Sequence, residues 1–377
     1  MMKLNWIEFK NIETGLECER VTFNIDTTLL VGLSGVGKSQ ILHAILMSLG
    51  IASGSLNNIA YLHDFAAKLN FTIEDKLYEW SYRIEKNIND QMLIIKPDSI
   101  SFCFKEERLI CNGEEIAFRN DSNLMLKDFN DFPAPKKDES LLSQYSEDPK
   151  FQQIFQDFRK ICPLDLDMDV RGVVGKEAFI SIVKQVENLI KSNKNEFTFF
   201  SRLPVSIKLY IARKFFKDTI YVQIFDYIKE LFPDIEDIDV VENSRDNTFV
   251  ISIVTYGRKL LQQDISNGML KTIYYIVELV TMRADSLVLI DEFENGLGVN
   301  CLNVLADLLL HERKDLQFII TSHHPTIIGG IPASKWKIID RNEATIINKS
   351  AKEYGVEDSI HSSYFNLLKQ WEFEGKI

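Results

Sequence analysis

The sequence lacks the makings of a disulfide framework. Its five cysteines (Cys18, Cys103, Cys111, Cys162 and Cys301) are scattered, odd in number and never spaced C-x-x-C, which argues against a stapled secreted scaffold and against a zinc knuckle. They read as reduced, mostly buried small residues. No apolar run approaches the roughly 18–20 residues that span a bilayer, and Met1–Lys10 mixes charged with apolar residues instead of reading as a signal peptide. A cytoplasmic protein with no membrane partner is expected. Positive charge is also in the minority. Against 55 acidic residues stand 43 Lys and Arg, a net charge of -12, so the bulk field repels nucleic acid and anionic membrane, and DNA contact would need a local basic patch. There is no internal repeat and no sustained heptad of coiled-coil length.

What remains is an ordinary globular chain, 45% hydrophobic and 26% charged over 377 residues, long enough for about two domains or one domain with a large insertion. Alternating apolar residues up to Leu29–Val31 predict strands leading into a glycine-rich turn. After Lys38 the period becomes helical, with Ile41, Leu42, Ile45, Leu46 and Leu49 on one face and Gly50 just beyond it. From about Lys68 to Arg119 the pattern is an antiparallel meander, and Asn112-Gly113 marks a hairpin. A polar stretch around Pro133 and Pro135 gives way to helical text from about Ser140 to Glu230. Then follow a strand over Thr248–Tyr256, a helix from about Met269, a strand Leu287–Ile290, a helix over Cys301–Leu310 and a strand Phe318–Ile320. That alternation implies a parallel sheet.

Four motifs carry chemistry. Gly32, Gly37, Lys38 and Ser39 satisfy G-x-x-x-x-G-K-[ST], a pattern that chance supplies in roughly one chain in a hundred of this length. Its strand and helix flanks therefore make a phosphate loop the reading, with Gly32, Ser34, Gly35, Val36, Gly37, Lys38, Ser39 and Gln40 as the nucleotide-binding set. Lys38 would reach the β and γ phosphates and Ser39 would ligate magnesium. The apolar strand Leu287–Ile290 ends in Asp291-Glu292. Alone this is a helix cap and a solvated carboxylate; beside a phosphate loop, Asp291 would hold magnesium and Glu292 would act as general base. Ser266-Asn267-Gly268 before a helix is by itself a cap and turn. Thr321-Ser322-His323-His324-Pro325 ends a strand at the carboxyl edge, where open α/β sheets bind ligands, and a histidine there could contact the γ phosphate.

In this order the motifs resemble ABC-type ATPase heads, within them the SMC, RecF and overcoming-lysogenization-defect (OLD) branch. Asp291-Glu292-Phe293-Glu294-Asn295-Gly296-Leu297 is similar to that branch's D-E-P-E-N-G-L, and Thr321–Pro325 to its T-T-H-S-P. The resemblance implies an α/β P-loop NTPase of ABC-head type. It would have a mixed sheet with an antiparallel β-subdomain and a helical insertion, divided as 1–136, 137–245 and 246–377. It also implies ATP and Mg2+ as cofactors and His323 as the switch histidine. Gln144 would be a magnesium-coordinating glutamine, although a helix-surface glutamine is an equal reading. Ser266 and Gly268 would bind the γ phosphate on a second chain, and Glu294–Leu297 would cross the dimer interface. The sequence departs from the branch at Ser34, where asparagine is usual, and at Asn267-Gly268-Met269, where a second glycine is usual.

The expected assembly is a homodimer or higher homo-oligomer closed by ATP. The segment after Pro325 has no room for a TOPRIM nuclease domain and no long arms are present, so a separate effector protein, a nuclease or a toxin, is expected, as in bacterial anti-phage defence. Alternatives are a RecF-like DNA-repair ATPase that clamps DNA and a non-hydrolysing ATP-bound scaffold. Arg213, Lys214 and Lys217 are the basic cluster a nucleic acid would use, though such a cluster is more often a solvated face. Asp234–Asp239 reads as solvated acidic surface. Asp165–Asp169 starts like a calcium loop but has Val170 and Lys176 where glycine and glutamate are required.

Overall fold

A computed structural model of the chain describes residues 2–54, 64–87, 101–128, 134–159, 173–191, 203–356 and 363–373. Pro133, Cys162 and Asp165–Asp169 lie outside the described residues. In chain order the elements are β1 (Met2–Asn11), β2 (Glu17–Thr22), β3 (Thr27–Val31), α1 (Lys38–Ala52), β4 (Phe65–Ile73), β5 (Lys76–Asn87), β6 (Ser101–Cys111), β7 (Glu114–Asn120), β8 (Leu124–Leu126), α2 (Leu141–Gln144) and α3 (Pro149–Arg159). There follow β9 (Val174–Gly175), α4 (Lys176–Lys191), α5 (Val205–Phe215), α6 (Val222–Leu231), β10 (Ile235–Asn243), β11 (Thr248–Thr255), β12 (Arg258–Leu261) and α7 (Asn267–Thr281). The chain closes with β13 (Leu287–Ile290), α8 (Val299–Asp307), β14 (Gln317–Thr321), α9 (Pro325–Gly330), β15 (Trp336–Asn342), β16 (Thr345–Ser350) and α10 (Ser363–Phe373). Among the described residues no helix is long and apolar enough to cross a membrane.

The chain divides into two compact units. The first comprises Met1–Leu164, Asp285–Phe293 and Leu316–Ile377. Its sheet runs β13-β14-β3-β15-β16-β2-β1-β4-β5-β6-β7-β8. From β13 to β15 all pairs are parallel, and every residue of β3, β13 and β14 is buried, as expected of strands covered on both faces. From β1 to β8 the pairing is antiparallel. The β6–β7 turn places Asn112 at φ 49° and Gly113 at φ 84°, the two left-handed positions of a hairpin turn that matches strand twist. Ile41, Ile45 and Leu49 of α1 join Leu4 and Ile7 of β1, Trp80 and Tyr82 of β5 and Phe151 of α3 in one apolar core, each such side chain contributing about 1.5–3 kcal/mol by leaving water.

The second unit comprises Asp165–Ala284 and Glu294–Asp315. Here one expectation fails. Strand β11 does not join the parallel sheet; it pairs antiparallel with β10, β12 and β9 in a separate four-stranded sheet. The short turn between β10 and β11 leaves no room for the crossover that parallel pairing needs. The acidic run read as solvated surface is strand β10, with Ile235, Ile238 and Val240 buried between outward-facing acids. Acids engage two members of the basic cluster. Asp237 accepts two bonds from the Arg213 guanidinium, at 2.6 and 2.9 Å, and Lys214 pairs with Glu187 at 2.6 Å.

Candidate functional site

The phosphate loop is pressed into shape by the strands beside it. At Gly37, φ is 111°, a value side chains rarely adopt, and the Ile346 side chain of β16 fills the space a Cβ would need. At Gly32 the Ile339 carbonyl of β15 does the same. Val36 is buried and anchors the loop from beneath. Lys38, 6% exposed, donates its ammonium to the carbonyls of Gly32 and Leu33 at 2.8 Å each, so the cation is held at the loop mouth. Helix α1 has no capping side chain and no acid in its first turn, and its N-terminal dipole therefore faces the loop uncompensated.

The second wall comes from β13 and β14. Register pairs Ile290 with Ile320 and Thr321 with Leu30 of β3, so the strand ends align at one carboxyl edge beside the loop. There Thr321, fully buried, is a junction: its hydroxyl donates to Asp291 Oδ1 at 2.6 Å and accepts the Glu292 N–H at 2.7 Å, while its carbonyl accepts the Phe293 N–H at 3.0 Å. Glu292 sits at φ 46°, a strained conformation for a residue with a Cβ, of the kind that persists where surrounding contacts over-determine it. Thr321 and the buried Phe293 supply those contacts. No rule of spacing singles out Thr321. Its signal in the sequence is its place at the head of the Thr321–Pro325 stretch, which marks the segment but not the bond to Asp291.

A cleft of about 180 Å³ results, lined by Ser34, Gly35, Gly37, Lys38, Ser39, Gln40, Asp291, Glu292, Thr321 and His323. It is smaller than the roughly 300–1,000 Å³ of pockets that enclose a whole small ligand, so it suits the phosphate end of one. His323 faces this cleft, whereas His324 caps α9 by accepting the Thr326 N–H at 3.2 Å. Ser39 and Asp291 offer hard oxygens, the donors that suit magnesium completed by water and phosphate. Among the described residues no cluster of three or more His, Cys, Asp and Glu side chains forms a metal cage.

Gln144, Ser266 and Gly268 are not among the residues that line this cleft. The Gln144 carboxamide accepts the Lys136 N–H at 2.8 Å and donates to the Ala134 carbonyl at 3.3 Å. Its segment is moored by a buried pair that no motif marks. Glu107 (1% exposed) and Arg119 (5%) bond each other at 2.7 Å, Glu107 accepts the Leu141 N–H at 3.0 Å, and Arg119 donates to the Lys136 carbonyl at 2.8 Å. Ser266 and Gly268 belong to the second unit, where the exposed Ser266 caps α7 by accepting the Met269 N–H at 3.3 Å.

No curated protein matches the sequence. Among solved structures, the chain is similar to an Smc head bound to the C-winged helix domain of ScpA, at 13% identity over 93% of this chain and 99% of that one, with a TM-score of 0.49. It is similar to a Pyrococcus furiosus Smc head bound to the C-terminal domain of ScpA, at 13% identity over 94% and 98%, TM-score 0.49. A third is the SMC head domain from Thermotoga maritima, at 14% identity over 92% and 98%, TM-score 0.44. The family described as "AAA domain, putative AbiEii toxin, Type IV TA system" matches residues 27–329, a span that holds the phosphate loop, the Asp291-Glu292 turn and His323. By that match the chain belongs to this AAA-domain family, as an ATP-binding P-loop NTPase.

Proposed function

We propose that the chain hydrolyses ATP at this cleft, that a second copy completes the site, and that the resulting switch acts on a separate effector in bacterial anti-phage defence. The observation that carries the reading is the Thr321 junction, which fixes Asp291 and Glu292 at the strand edge beside Lys38 and Ser39. In this reading Lys38 gives up its two loop carbonyls for phosphate oxygens, and Glu292 takes the proton of the attacking water. His323 contacts the γ phosphate and registers its loss. Ser39 and Asp291, joined by Gln144 once it leaves Ala134 and Lys136, would hold magnesium, which when bound neutralises charge on the phosphates. Ser266 and Gly268 of the second copy close the site from its other side. The family's description, which names an AbiEii toxin and a type IV toxin–antitoxin system, supports the defence setting. With Arg213 and Lys214 engaged by acids, the basic cluster gives a DNA clamp no support.

The test is Glu292→Gln. The variant binds ATP, turns it over at least about a hundredfold more slowly, and accumulates as an ATP-dependent dimer in size-exclusion chromatography with light scattering. Normal turnover removes Glu292 as the base; no turnover by the parent protein favours the non-hydrolysing scaffold.

A further inference from the structure

Two segments of the second unit lie directly against each other within one chain. One is the start of α7 at Gly268; the other is the loop Glu294–Leu297. A Cβ on Gly268 would stand 3.3 Å from the Gly296 carbonyl oxygen and 3.7 Å from the Gly298 nitrogen, so the backbones meet with no space between them. Lys271, one turn into α7, donates its ammonium to the Asn295 carbonyl, and its stem covers Gly296, whose φ is 70°. The Thr272 hydroxyl ties back to the Gly268 carbonyl at 2.8 Å. The chain passes from the first unit to the second between Phe293 and Glu294, so the loop after the Asp291-Glu292 turn belongs with α7.

Helix α7 is a firm base for such a tie. Thr272 to Thr281 are all buried, Glu278 is paired with the buried Lys208 at 2.6 Å, and the Arg313 guanidinium bonds the carbonyls of Leu279 and Met282 at the helix end. Within the loop the Leu297 N–H closes on the Glu294 carbonyl at 3.1 Å, and Asn295 and Gly296 between them are exposed. A loop of this composition left untethered loses conformational entropy when it docks, and a loop already fixed does not.

We propose that Lys271 is a positioning residue that locks Glu294–Leu297 to the Ser266–Gly268 segment, so that a second copy of this chain meets both as one pre-formed surface. The proposal rests on the composite-site reading above. It identifies what orders the interface, and assigns Lys271 no contact with nucleotide.

The experiment uses the full chain carrying Glu292→Gln, to which Lys271→Met or Lys271→Arg is added. With ATP, Lys271→Met is expected to weaken dimerisation about tenfold in analytical ultracentrifugation, while ATP affinity of the monomer and melting temperature stay at parent values, and Lys271→Arg restores the dimer. In the monomer, amide exchange over residues 294–297 is expected to accelerate in Lys271→Met alone. Dimerisation and exchange both at parent values in Lys271→Met overturn the lock. A parent that forms no dimer with ATP, although exchange accelerates as expected, overturns the composite-site reading and the interface role with it.

Discussion

Replacing Thr321 with valine removes one hydroxyl and nothing else of comparable volume, on a strand where every residue is buried. Two bonds go with it, the one given to Asp291 and the one taken from the Glu292 N–H. A bond to a carboxylate is worth about 1.5–3 kcal/mol and one between neutral groups about 0.5–1.5 kcal/mol. Asp291 is half-buried, so water recovers part of the loss, and a net of about 2 kcal/mol follows. Spread over a unit of this size, it lowers the melting temperature by about 4–8 °C. The same hydroxyl holds Glu292 in its strained backbone state, so a comparable loss in the transition state slows ATP turnover about thirtyfold. Nucleotide affinity should hold, because Lys38 and the loop are untouched. Thr321→Ser keeps the hydroxyl and should recover most of the rate. Steady-state phosphate release, nucleotide titration and thermal melts read these quantities separately. Valine at wild-type turnover, with an unchanged melt, would refute the claim that Thr321 fixes the acidic turn.

The two adjacent histidines should separate cleanly: His323→Ala loses turnover with an unchanged melt, while His324→Ala keeps turnover and loses about 0.5–1 kcal/mol of stability with its helix cap, both read by pairing activity with thermal unfolding. Gly37→Ala should cost about 1–3 kcal/mol from its backbone angle alone, and trimming Ile346 to alanine, which removes both the Cδ1 and the Cγ1 that a Cβ there would meet, should relieve the overlap without restoring stability, as denaturant midpoints would show. Burial, with Glu19 adding to it, pushes the Cys18 thiol from 9.0 up to about 12. Its neutral form is therefore favoured by the fold, and the stability it contributes is complete below pH 9 and lost as pH rises toward 12. Cys18→Ala should flatten that alkaline decline in pH-dependent melts, and an equally steep decline would remove Cys18 as its source.

Elements whose signal is local were legible in the sequence: the loop glycines, the apolar strand before Asp291, the hairpin at Asn112-Gly113. Period and turn chemistry suffice for those. The partnership of β11 was hidden because β10 is interleaved with acids, so its buried face of Ile235, Ile238 and Val240 was masked by charge. The Thr321 junction and the Glu107–Arg119 mooring were hidden for a different reason. Thr321 meets Asp291 only because β13 and β14 align Ile290 with Ile320, and Glu107 meets Arg119 across the β6–β7 ladder, where they are register partners. Register is a property of the assembled sheet and leaves no mark on either segment alone.

The hairpin of β15 and β16 carries no motif, and β15 begins beyond the 27–329 span that matches the family. Yet Trp336 and Lys337 pair with Leu29 and Leu30, and Ile339 and Ile346 are what Gly32 and Gly37 rest against. A chain cut after Gly330 would keep every residue with a chemical role and lose the floor beneath its phosphate loop. Nucleotide binding in this protein is therefore templated from both ends of the sequence, and the recognisable region alone should be a list of parts without the mould that sets them.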